Sequence, residues 1–95
     1  MKTIYRGKLY DTDKAITLFS EGVYSNGNCL GESEIMVTHK GALFIYYSST
    51  GQDLYRREQI VPVESISELQ EWLNGRPISD DEIENLAPYG VFEEA

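Results

Sequence analysis

The apolar residues of this chain fall into blocks of differing period, and each block predicts an element. Lys2-Thr3-Ile4-Tyr5-Arg6 mixes β-branched and aromatic residues and runs into Gly7, the pattern of a short strand. Asp11-Thr12-Asp13 is a helix-start signal, because short acceptor side chains and negative charge suit the free N–H groups of a first turn. Ala15, Ile16, Leu18 and Phe19 then give about two turns of apolar face, closed by Glu21-Gly22. Residues 22–33 read as a loop rich in turn formers, with Asn26-Gly27 the strongest turn dipeptide. Residues 34–39 and 42–48 predict a β-hairpin across Lys40-Gly41. In its second arm Leu43, Ile45 and Tyr47 share one face and Phe44 and Tyr46 the other, so this strand is expected to be covered on both sides. Residues 54–61 return as a third strand, ended by Pro62, which cannot donate to a ladder.

Two helices close the chain. Ser65-Ile66-Ser67-Glu68 is a capping box followed by Ile66, Leu69, Trp72 and Leu73 on one helical face, with Asn74-Gly75 and Pro77 as stops. Ser79-Asp80-Asp81-Glu82 is a second capping box, followed by Ile83, Leu86 and Ala87 ahead of Pro88. Residues 89–95 read as a tail, either pinned by its aromatics or frayed. The expected fold is a single α+β domain over residues 1–95. It has the order β-α-β-β-β-α-α, with an antiparallel sheet of the N-terminal strand plus a three-stranded meander, and helices mainly on one face.

Charge changes this picture more than composition does. The net charge is −8, and it is unevenly placed. Residues 1–57 hold seven basic and six acidic residues, a net +1; residues 58–95 hold ten acidic residues and Arg76, a net −9. Such a field repels nucleic acid and membranes and attracts basic surfaces, so neither direct nucleic-acid binding nor membrane binding is expected. The N-terminus lacks the apolar run of a signal peptide, no stretch approaches a membrane span, and Cys29 is the single cysteine. A reducing, cytoplasmic setting fits these features.

The residues for catalysis are sparse. His39, the one histidine, lies beside a hairpin turn and reads as an exposed polar residue rather than a general base. Cys29 has no neighbouring base in the sequence. Asp11, Asp13, Asp80, Asp81 and Glu82 sit at helix starts, where the helix dipole accounts for them, and they lack calcium-loop spacing. No cofactor, metal site or enzymatic activity is expected. Arg56-Arg57 beside Tyr55, with Lys40, form a small basic-aromatic patch that reads as solubilising charge guarding a strand edge. The remaining candidate is the acidic C-terminal third. There Asp80, Asp81, Glu82, Glu84, Glu93 and Glu94 would face a basic groove on a partner, with Tyr89 and Phe92 as anchors.

The segment Gly7-Lys8-Leu9-Tyr10-Asp11-Thr12, the Lys40-Gly41 hairpin with Ala42 to Tyr47, Ile60-Val61-Pro62-Val63 and Glu71-Trp72-Leu73 together resemble a family of small bacterial, phage and mobile-element proteins. The likeness spans roughly residues 4–73; its motifs are structural and specify no chemistry. In size, acidity and lack of a catalytic set, the chain is also similar in type to phage-encoded anti-CRISPR proteins. That likeness implies stoichiometric inhibition: a Cas effector, or a similar basic nucleic-acid-binding protein, is bound and its nucleic-acid groove or conformational change is blocked. The alternative is a non-catalytic structural or accessory protein of a phage or mobile element, self-associating, as in a homodimer, through a strand edge or the Tyr-rich face of the meander.

Overall fold

The structure, a computed structural model, describes residues 1–51 and 56–95. The fold of the described residues is α+β, with two antiparallel sheets and two helices. Strands β1 (Lys2–Tyr5) and β2 (Lys8–Asp11) form a small hairpin. Strands β3 (Ile16–Ser25), β4 (Asn28–Val37), β5 (Leu43–Tyr47) and β6 (Gln59–Pro62) form a meander in the order β3-β4-β5-β6. Helices α1 (Ile66–Leu73) and α2 (Asp80–Leu86) follow, and a 3-10 turn over Ala87–Tyr89 leads into the tail.

The predicted first helix is a correction. The signal at Asp11 is genuine: its carboxylate accepts the Asp13 amide at 3.0 Å. It starts only one 3-10 turn, Thr12–Lys14, after which Ala15 returns to extended backbone. Residues from Ile16 then pair with β4. A bulge between Thr17 and Phe19 makes Leu18 the extra residue, so Leu18 and Phe19, adjacent in sequence, both enter one core. A bulge therefore reproduces the apolar spacing of a helical face, which is why the period misleads here. The expected loop over 22–33 is also strand except at its tip. Asn26 and Gly27 both have positive φ (52° and 80°), the conformation of a two-residue type I′ turn. Cys29 accordingly lies on β4, half-buried.

The N-terminal strand is not part of the main sheet, which corrects the expected single sheet. Arg6 and Gly7 (φ 50° and 75°) turn it back on β2, making a separate hairpin. That hairpin covers one face of the meander. Tyr10, Met36, Phe44 and Ile60 pack there, with Tyr10 edge-on to Phe44 at 5.6 Å between ring centroids. Both helices lie on the other face, where Leu69, Leu86 and Val91 meet Leu18, Phe19, Ile35, Val37 and Ile45. The alternation in β5 follows this division, with Leu43, Ile45 and Tyr47 toward the helices and Phe44 and Tyr46 toward the hairpin. The strand expected over 54–61 is β6, which begins only at Gln59 and includes Pro62; residues 56–58 are not strand, and the expected positions 54 and 55 lie outside the described residues.

Trp72 fixes α1. Its indole N–H donates to Tyr47 Oη at 2.9 Å, its ring meets Phe19 edge-on, and the Arg76 guanidinium stacks on it at 3.8 Å. Arg76 also donates to the Trp72 carbonyl at 2.7 Å and to Glu21 on β3 at 2.6 Å. The one cation of the acidic third thus ties the end of α1 to the sheet.

Candidate functional site

The acidic candidates divide by what their carboxylates already do. Ser79 caps α2, and both halves of the capping box form: the Glu82 amide donates to Ser79 Oγ at 3.2 Å, and the Ser79 amide donates to Glu82 Oε1 at 3.0 Å. The other carboxylate oxygen of Glu82 accepts the Ser20 amide at 2.9 Å, on the outer edge of β3. Asn85 Nδ2 donates to the Leu18 carbonyl nearby, at 3.3 Å. One turn of α2 therefore satisfies the bulged edge of β3 with side chains. Burial raises the Glu82 pKa, but the hydrogen bonds from Ser20 and Ser79 outweigh it, and the net shift is downward. Glu82 is held by the fold and faces β3.

Asp80, Asp81, Glu84, Glu93 and Glu94 are exposed, and among the described residues none of them pairs with a cation. Asp80 and Glu84 are one turn apart on α2. Ile83 between them and Phe92 in the tail are also exposed, Phe92 at 40%. Tyr89 is half-buried against the helix-side core. The tail is pinned by Val91, which is 2% exposed, and Gly90 takes the left-handed conformation that turns Val91 inward. Of the two aromatics expected to pin the tail, Tyr89 packs and Phe92 does not. At α1, Ser65 accepts the Glu68 amide at 3.4 Å, but the Glu68 carboxylate accepts from Glu64 rather than from Ser65.

Of the basic-aromatic patch, Arg56 is engaged by the chain itself. Arg56 donates from Nε to the Ser48 carbonyl at 2.7 Å and from Nη2 to the Glu32 carbonyl at 3.0 Å, so it binds the chain to β4. Tyr55 lies outside the described residues. Lys40 instead joins residues the sequence does not associate with it. With His39 it sits on the β4–β5 turn and lines a groove together with Lys8 and Lys14. Nothing local relates these positions: they meet because the N-terminal hairpin docks on the sheet.

Cys29 donates weakly to the Gly31 carbonyl at 3.5 Å. Among the described residues, no three His, Cys, Asp or Glu side chains are grouped so as to hold a metal ion, and no helix is long and apolar enough to cross a membrane. The chain matches no protein-family model, no curated protein and no solved structure.

Proposed function

We propose that this protein acts by binding, as an acidic inhibitor that docks on the basic surface of a nucleic-acid-handling complex. In its most concrete form it is an anti-CRISPR-like protein that blocks the nucleic-acid groove or the conformational change of a Cas effector. The observation that carries this reading is the unpaired carboxylate surface of Asp80, Asp81, Glu84, Glu93 and Glu94, with Ile83 and Phe92 exposed among them. Such an arrangement offers electrostatic steering together with apolar anchors. Glu82 supports it indirectly, by holding α2 on the sheet.

The test is affinity capture from nuclease-treated bacterial lysate, followed by titration of the captured partner. A basic nucleic-acid-binding protein is expected. Changing Asp80, Asp81, Glu84 and Glu93 to Lys together should weaken its binding at least about tenfold, and nucleic acid should compete. Unchanged affinity after the charge reversal would rule out this surface. A second reading, self-association, is favoured by the outer edge of β3 beyond Ser20. There, on the side of β3 away from β4, no strand pairs with residues 22–24 among the described residues, and Tyr24 is 68% exposed. A concentration-dependent dimer in sedimentation, lost on a Gly22→Pro change, would favour it.

A further inference from the structure

A groove of about 440 Å³ runs between β2 and the β4–β5 turn. Lys8 on β2, Lys14 just after it, and His39 and Lys40 on the turn all line it. Asp11 is the one acidic residue lining it among the described residues; it is buried and its carboxylate accepts the Asp13 amide. Leu9 and Ala42 add apolar surface, and Leu9 is 59% exposed.

Three lysines against one aspartate give the groove a formal charge of +2 within a chain of −8. None of Lys8, Lys14 and Lys40 forms an ion pair among the described residues, whereas Arg6 and Arg76 are paired with Glu64 and Glu21. Like charges gathered at one concave site repel, and a bound anion would relieve that repulsion. Lysine suits phosphate as a point charge. The volume lies within the roughly 300–1,000 Å³ range of small-molecule sites. The remainder of the chain carries a formal charge of about −10 by the same count, so a nucleic-acid polymer leaving the groove would meet a repulsive field. A short ligand would not.

We propose that this groove binds a small organic phosphate of mononucleotide size. Lys8, Lys14 and Lys40 surround the phosphate, and Leu9 and Ala42 lie against its less polar body. The site stands apart from the acidic surface of α2 and is independent of the inhibitory reading.

The experiment is an amide NMR titration of the full chain at low salt with AMP, inorganic phosphate and adenosine. AMP should shift amides in 7–14 and 38–42, bind about tenfold more tightly than inorganic phosphate, and leave adenosine without measurable binding. Lys8→Gln, Lys14→Gln and Lys40→Gln together should weaken AMP at least about tenfold, while the four Lys substitutions at Asp80, Asp81, Glu84 and Glu93 leave these amides responsive to AMP. Should the triple variant fail to fold, Lys40→Gln alone, on an exposed turn, should weaken binding in the same direction. AMP shifts that map elsewhere, survive these substitutions, or are no stronger than those of inorganic phosphate would overturn the proposal.

Discussion

Gly31 shows how a single position can be set by a close approach of backbone. It lies on β4 near the second irregularity of the β3–β4 ladder, where Val23 pairs with Gly31 and Tyr24 with Cys29. A Cβ at Gly31 would collide with the Ser48 carbonyl and with Nε of Arg56. Those are the groups that join in the Arg56–Ser48 hydrogen bond, so neither can retreat without breaking it. Gly31→Ala is therefore expected to destabilise the protein by about 1–3 kcal/mol, read from urea unfolding. Gly27→Ala, with open space around its Cβ, should show only the smaller strain of a positive φ.

The pairing of α2 with β3 places a titratable group in an element contact. Edge strands must be covered or blunted, and here a helix does so through Glu82 and Asn85. The Glu82 pKa is held below its ordinary value of 4.5 despite burial, because three donors favour the carboxylate. A depressed carboxyl pKa contributes stability that is fully present above the unfolded value and is lost as pH falls through the folded one. Glu82→Gln should cost about 1 kcal/mol at pH 7, and the gap to the unmodified protein should narrow below about pH 4. Glu34 on β4 has the opposite sign. Burial raises its pKa, the Thr17 hydroxyl partly opposes that, and Glu32 adds to it. Its charged form is disfavoured in the fold, so this contribution is lost as pH rises through the raised pKa. The two carboxylates make chemical denaturation across pH 3 to 7 a direct check: removing Glu82 should flatten the acid limb, and Glu34→Gln should not.

At the level of the whole molecule, one four-stranded sheet separates two apolar clusters. Phe44 and Ile45, adjacent on β5, belong to opposite clusters, and so do Met36 and Ile35 on β4. Loss of either cover would expose the same two central strands, so the halves should unfold together. Tyr10→Ala, on the hairpin side, and Leu69→Ala, on the helix side, should each cost about 2–5 kcal/mol within a single transition. A biphasic curve in either variant would show that the clusters are independent. The charge is divided along with the layers: α2 on the helix side carries free carboxylates, while the lysines of the groove lie on the hairpin side.

What could be read directly in the chain rests on near neighbours. The two late helices are legible because Ser65 and Ser79 cap within their own first turns. Strand β5 is legible because alternation along Leu43 to Tyr47 reports burial on two faces. The Lys40-Gly41 turn and the concentration of carboxylates after residue 57 are equally local. The fate of residues 16–25 is not, because Ala15, Ile16, Leu18 and Phe19 fit a helix as well as a bulged strand, and pairing with β4 decides between them. The same holds for Glu82, whose sequence context explains its cap and not its bond to Ser20, 62 positions away. It holds most of all for Lys8, Lys14 and Lys40, which come together only when the first hairpin folds over the sheet. Local signals report hydrogen bonds and periods within a few residues; which surfaces meet is set by long-range burial, and that is settled only in the packed chain.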